Sequence, residues 1–212
     1  MGRRRNQGHP RLLRSLIAGF VLVALYGCGT EQPSLSPLAT EAKILAFGDS
    51  LTKGTGGGRG QSYPAILSRL IDRDVVNAGI PGELSKDGLK RLPQILASTR
   101  PQLMILCHGG NDMLRRKDLS TTARNIESMI QLARAQNVDV LLVGVPKPGL
   151  LLSTADIYSE IAETAGIPAE LDVLTEILSD PSLKSDPIHP NGKGYQRMAE
   201  KIHALLRETG AL

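Results

Sequence analysis

Short, unbroken apolar runs punctuate the chain at 44–47, 103–107 and 140–143, each followed within two residues by glycine. Runs of this length without alternation predict central strands of a parallel sheet, covered on both faces. A shorter strand is expected at 75–77, ahead of Gly79, and a weaker fifth near 167–171. Between the strands the apolar spacing turns helical, at 63–71, at 86–97, from a cap at Ser120 or Thr121 to about Ala135, and at 191–208. Pro93 is expected to kink or restart the second of these helices. Strands alternating with helices imply right-handed crossovers, hence an α/β fold of three layers with a parallel sheet between helices.

The N-terminus breaks this pattern. Arg3, Arg4, Arg5, Arg11 and Arg14 precede an uncharged stretch from Ser15 to Gly27, which ends at Cys28. About 20 apolar residues are needed to cross a bilayer, so this stretch reads as a signal peptide over 1–27 and not as a membrane span. Leu25-Tyr26-Gly27-Cys28 resembles a bacterial lipobox, which predicts a lipidated Cys28, a membrane anchor and a cell-envelope location, facing the periplasm in a Gram-negative source. The plain alternative is that Cys28 is an ordinary small residue closing a signal peptide. Residues 28–42, rich in Thr, Gln, Pro and Ser, predict a flexible linker. A single catalytic domain is then expected over 43–212.

The leader changes the meaning of the charge. Of 25 basic residues five lie in 1–27, which holds none of the 21 acids; the formal +4 of the whole becomes 20 against 21, or −1, without it. The basic excess is therefore a targeting charge, and no nucleic-acid partner is expected. Cys107, the only other cysteine, lies in an apolar strand pattern, so neither a disulfide nor a metal site is expected.

Candidate chemistry begins where the first strand ends, at Gly48-Asp49-Ser50. In an open α/β sheet this edge is where ligands bind, although Asp and Ser are also ordinary turn formers. Three later segments change the weight of that serine: Asn77-Ala78-Gly79, Gly109-Gly110-Asn111-Asp112, and Asp186-Pro187-Ile188-His189-Pro190-Asn191. Together with Gly48-Asp49-Ser50-Leu51 they resemble, in order, the motifs of the SGNH (GDSL-type) hydrolase superfamily, nearest its bacterial arylesterase, lysophospholipase and acyl thioesterase branch.

The resemblance implies a flavodoxin-like sheet of five strands, ordered 2-1-3-4-5, which brings Ser50, Gly79 and Asn111 together. It implies Ser50 as nucleophile, His189 as general base and Asp186 as the acid that orients it. The Ser50 and Gly79 N–H groups and the Asn111 amide would form the oxyanion hole. Among the other histidines, His9 falls in the leader, His203 sits on the last helix, and His108 is the one rival base, without an acid at a spacing that would orient it. No Gly-x-Ser-x-Gly elbow is present, which argues against the α/β-hydrolase version of this triad.

Carboxylic ester or thioester hydrolysis through an acyl-enzyme is the expected activity, on a small acyl ester or lipid, with no cofactor. Leu150, Leu151 and Leu152 either accept an acyl chain or belong to the core. Aromatic residues make up 3% of the chain, too few to furnish the stacking platforms of a sugar cleft. A carbohydrate O-acetylesterase acting on cell-wall sugars is the alternative enzyme, and a catalytically silent envelope binding module the alternative from another class.

Overall fold

Five parallel strands lie in the order β2-β1-β3-β4-β5. They are β1 (Lys43–Gly48), β2 (Asp74–Gly79), β3 (Leu103–Cys107), β4 (Asp139–Val143) and β5 (Ala169–Glu170). The computed structural model describes residues 1–2, 33–149 and 151–212; the expected leader, Cys28 and the start of the linker lie outside these residues. Gln32–Leu212 form one compact unit, and Met1–Glu31 a separate one of which only Met1 and Gly2 are described. Every described core residue falls between Leu35 and Ala211, so Gln32–Leu212 carry a core of their own and fold as a domain.

The unbroken apolar runs predicted the burial correctly. All five residues of β3 are buried, as are the five of β1 that follow Lys43. Truncating one such side chain, Met104 or Ile105 for instance, would cost about 2–5 kcal/mol, a large share of a domain's usual 5–15 kcal/mol. On one side of the sheet α2 (Tyr63–Ile71) packs against α8 (Gly192–Glu208). The long helices α3 (Ser85–Thr99) and α5 (Leu119–Arg134) pack against each other as a second pair. Both α5 and α8 bury a stripe at helical spacing: Ile126, Met129, Ile130 and Ala133 in one, Tyr195, Met198, Ala199, Ile202 and Leu206 in the other.

Several boundaries depart from the sequence expectation. The second strand begins and ends earlier and later than 75–77, because Asp74 through Gly79 all pair with β1. The fifth is reduced to two residues, paired only with Leu142 and Val143. Helix α3 runs through Pro93: the proline lies on the exposed face, while Leu92 and Leu96 are buried and hold the helix together by packing. Helix α5 is capped two or three residues earlier than expected, by Asp118, whose Oδ1 accepts the Thr121 N–H at 2.7 Å. Four helices were not foreseen: α1 (Ser50–Lys53), α4 (Gly110–Leu114) and α7 (Val173–Ser179), which are short, and α6 (Asp156–Ala165), which buries Tyr158, Ile161 and Ala162 at helical spacing.

The expected flexible linker is a correction of a different kind. From Leu35 onward it is fixed to the domain. The N–H groups of Leu35 and Leu38 donate to the carbonyls of Thr209 and Ala211, each at 2.9 Å. Ser36 N–H donates to Asp139 Oδ2 at 2.8 Å, and Ala39 N–H to Gln102 Oε1 at 3.0 Å. Two leucines spaced three apart in an otherwise polar stretch supply the apolar contact: Leu35 joins the core cluster and Leu38 packs against it.

Candidate active site

Ser50 is the first residue of α1, directly after β1. Asp49 caps that helix, its Oδ1 accepting the Leu51 N–H at 3.1 Å, and Gly54 ends it with φ 94°. Any side chain at Gly48 would run into the Cys107 carbonyl and the Thr52 hydroxyl, so glycine alone lets β1 lie this close to β3 at the turn.

The serine hydroxyl lies 3.0 Å from His189 Nε2, and His189 Nδ1 lies 2.8 Å from Asp186 Oδ2. The loop before α8 builds this relay. Asp186 Oδ1 accepts the N–H groups of Ile188 and His189, both at 2.9 Å, which fixes the carboxylate while its other oxygen faces the imidazole. Partial burial alone would raise the Asp186 carboxyl. The hydrogen bond from His189, the Ile188 N–H and the charge of His189 outweigh it and hold the group below the usual carboxylate range. Asn191 closes the loop and caps α8, its Oδ1 accepting from Lys193 N–H at 2.9 Å and Gly194 N–H at 3.1 Å.

Asn111 sits in α4, just past β3, and donates through Nδ2 to Asp49 Oδ2 at 3.0 Å. Asp49 is buried and joins no Lys or Arg ion pair among the described residues; desolvation raises its carboxyl above the ordinary value, against the pull of His108, Leu51 N–H, Asn111 and His189. Asp112 turns the other way, accepting the Ser85 N–H and hydroxyl at 2.8 Å each and so tying α4 to the start of α3. Asn111 is thereby held from both sides while one of its two amide hydrogens remains for the cavity.

Gly79 is not where the motif reading put it. Its N–H donates to Asn77 Oδ1 at 3.0 Å, and it pairs with Gly48 in the sheet. A Cβ there would overlap the backbone of Lys53 and Asp49, so this glycine serves the packing of α1 on β2. The next glycine on the loop, Gly82, has φ 76° and is the third residue of a turn closed by Glu83 N–H to Ile80 O at 3.2 Å. Proline then glycine at the centre of a turn is the type II signature, and Pro81-Gly82 carried that signal in the sequence.

His108, the rival base, has an acid that no spacing revealed. Its Nε2 lies 3.1 Å from Glu83 Oε2, and its Nδ1 accepts the Gly109 N–H at 3.0 Å, which places the proton on Nε2. Glu83 also takes two bonds from Arg91, each 2.7 Å. Arg91 stacks 4.1 Å over Phe47 and donates to the Ala78 carbonyl at 2.9 Å. Burial would raise the Glu83 carboxyl, but His108 and Arg91 hold it below its ordinary value. This buried cluster fixes the Ile80–Glu83 turn from behind, and the His108 ring is fully enclosed instead of facing Ser50.

Ser50, Asn111 and His189 open onto a cavity of about 230 Å³ whose other walls are mainly apolar, including Leu114, Val145, Pro148, Leu152, Leu178 and Ile188. Of the three candidate leucines, Leu152 lines the cavity, Leu151 is exposed, and Leu150 lies outside the described residues. The sequence reading missed Leu114, Leu178 and Ile188, which sit on short helices or loops with no pattern of their own.

A serine, histidine and aspartate in relay at the carboxyl edge of a 2-1-3-4-5 sheet define a serine hydrolase of the SGNH type. Residues 46–197 match the GDSL-like Lipase/Acylhydrolase family, and the chain belongs to that family. It is 31% identical to Esterase TesA of Pseudomonas aeruginosa over 82% of this chain and 92% of that protein. It is likewise 31% identical to Thioesterase 1/protease 1/lysophospholipase L1 of Escherichia coli, over 77% of this chain and 83% of that one. A crystal structure of TesA superposes with a TM-score of 0.71 at 31% identity, covering 79% of this chain and 99% of the other. The protein is accordingly a carboxylic ester hydrolase.

Asp49→Asn tests the support of Asn111. An amide can accept from Leu51 or from Asn111 but not from both with the same geometry, and the buried charge disappears. The expected result is a fall in kcat of about tenfold with KM little changed, since a small misplacement of a transition-state donor costs rate more than binding, together with a loss of about 1–3 kcal/mol of stability from the donor left unsatisfied in this buried site. Steady-state kinetics alongside a melting curve would show it; a loss confined to KM would disprove it.

Proposed function

We propose that Ser50 attacks the carbonyl carbon of an acyl ester or thioester, with His189 as general base and Asp186 holding its ring. The observation that carries this reading is the Ser50 Oγ to His189 Nε2 contact of 3.0 Å, continued to Asp186 at 2.8 Å. As the Oγ–carbon bond forms, the hydroxyl proton passes to Nε2; His189 then returns it to the departing alkoxide or thiolate. Water, deprotonated by the same nitrogen, hydrolyses the acyl-enzyme and restores Ser50.

The developing oxyanion is held by the Ser50 N–H, the Asn111 amide and a third donor from the loop after β2. That third donor is Gly82, not Gly79. The Gly79 N–H is already bonded to Asn77, whereas the central peptide of a turn makes no bond inside the turn and leaves its N–H available. Asn111→Ala removes one donor and is expected to lower kcat by roughly 10²–10³-fold with less change in KM. Near-normal turnover would remove Asn111 from the oxyanion hole.

The apolar cavity walls favour acyl esters of the arylesterase and lysophospholipase kind over acetylated sugars. A panel of esters varied in acyl length and leaving group tests the preference: activity is expected to rise as the acyl group lengthens to fill the cavity. Preferential release of acetate from acetylated cell-wall sugars would favour the carbohydrate esterase instead.

The arginine-rich start and the Leu-Tyr-Gly-Cys ending support a lipoprotein anchored in the cell envelope through Cys28. Several acyl chains at about 0.8 kcal/mol per CH₂ would make such an anchor firm, where a single chain is marginal. Mass spectrometry of the mature N-terminus is expected to show an acylated Cys28, and Cys28→Ser to leave the precursor unprocessed. An unmodified peptide starting at or after Cys28 would establish simple secretion.

A further inference from the structure

Exposed apolar side chains are concentrated at the carboxyl edge of the sheet, where the cavity opens. Of eight exposed large hydrophobics among the described residues, five, Ile80, Leu114, Leu119, Leu151 and Ile188, lie on loops or helix ends that follow the strands' carboxyl ends. Leu114 and Ile188 also line the cavity itself.

Next to them runs a triplet of exposed cations, Arg115, Arg116 and Lys117. None of the three joins an ion pair among the described residues. Their backbone is fixed: Arg116 N–H donates to Met113 O at 3.0 Å, Lys117 N–H donates to Asp112 O at 2.8 Å, and Arg116 itself has φ 49°. Arg115 reaches across to the Gly82 carbonyl at 3.1 Å, which joins the triplet to the loop that carries Ile80. The neighbouring acid, Asp118, is committed elsewhere, accepting from the Thr121 N–H and the hydroxyls of Ser120 and Thr121 as the cap of α5.

Cations on a fixed turn beside exposed apolar side chains suit an anionic lipid surface, where the cations meet headgroups and the apolar groups enter the acyl boundary. A nucleic acid would engage the cations alone and leave the exposed apolar side chains in water. We propose that this edge of the domain docks on an anionic phospholipid surface and sets the cavity mouth against it. The inference goes beyond ester hydrolysis and draws on that reading only for what the mouth receives. It is also independent of Cys28, because every residue it uses belongs to the compact unit Gln32–Leu212.

Vesicle sedimentation with that unit tests the proposal. Ether-linked phospholipids hold no carboxylic ester, so binding is read without hydrolysis. The unit is expected to bind vesicles of equal parts phosphatidylcholine and phosphatidylglycerol, to ignore pure phosphatidylcholine, and to detach as salt is raised. Arg116→Ala combined with Lys117→Ala is expected to weaken partition roughly 30-fold, at about one Lys or Arg's worth of attraction per residue, while hydrolysis of a water-soluble short-chain ester stays unchanged. Equal binding to both vesicles, no binding to either, or an unaltered double variant would each overturn the docking surface. Equal binding to a DNA duplex would make the triplet a general polyanion site and overturn it too. Loss of short-chain hydrolysis in the wild-type unit would instead count against the catalytic reading and leave the vesicle result standing.

Discussion

Ser50→Ala is expected to lower ester turnover by about 10⁶-fold, the scale seen when the nucleophile of a serine triad is removed. The change takes away one hydroxyl at the start of a four-residue helix, and its listener, His189 Nε2, is already partly exposed and can turn to solvent. The fold should therefore survive: the melting temperature is expected to move by no more than a few degrees. Labelling by a fluorophosphonate gives a second readout, since the phosphorus needs the same oxygen as the acyl carbon. Wild-type protein should be labelled and the variant should not; a labelled Ser50→Ala protein with native melting would place the nucleophile elsewhere.

The second large effect separates His189 from His108, which stands between β3 and the Gly109-Gly110 turn. His189→Ala is expected to cost about as much turnover as loss of the serine, because members of a triad act as a unit. His108→Gln is expected to cost far less in turnover and more in stability. It replaces the ring that donates to Glu83 Oε2 and accepts from Gly109 N–H, both in a fully enclosed site. Glu83 Oε2 keeps its bond from Arg91, but the Gly109 N–H loses its acceptor, and an unsatisfied buried donor costs about 1–3 kcal/mol. Turnover and melting temperature measured on both variants decide it: an inactive but stable His108→Gln with an active His189→Ala would exchange their roles.

The depressed Asp186 carboxyl adds a pH direction. A group whose folded value lies below its unfolded one contributes stability that is present above the unfolded carboxylate range and is lost as pH falls through the folded value. The loop holding His189 should thus stay ordered on mild acidification and loosen only below the ordinary carboxylate range. Asp186→Asn, which cannot titrate, is expected to remove that acid-side change in a pH series of melting curves.

What the sequence made legible follows from how local each signal is. Strands β1, β3 and β4 announce themselves because a strand buried on both faces has nothing but apolar residues to show. The Asp186–His189 pair was legible because three residues in one loop put acid and base within reach. Glu83 and His108 were not, since they stand 25 positions apart and only the crossover through α3 brings them together. Gly79 and Gly82 illustrate the same limit at short range. Both follow β2, and a motif match cannot tell a glycine required for packing from one required for a turn; the hydrogen bond from Gly79 to Asn77 does. Helices α1 and α4 escaped because four or five residues cannot display a period, and each owes its existence to a neighbour: the Asp49 side chain for α1, the left-handed Gly109 with φ 105° before α4.

The lacing of Leu35 and Leu38 to the last residues of the chain has a mechanical meaning. A pull on the segment ahead of Leu35 is borne first by the Leu35–Thr209 and Leu38–Ala211 hydrogen bonds, and by Ser36 on Asp139, before any load reaches Lys43 and β1. Strand β1 leads straight into the serine turn, so without this clasp, tension on the chain would travel along one extended strand to the nucleophile. With it, the two ends of the domain close on each other as a strain relief, and the geometry of Ser50 is insulated from any pull on the preceding residues.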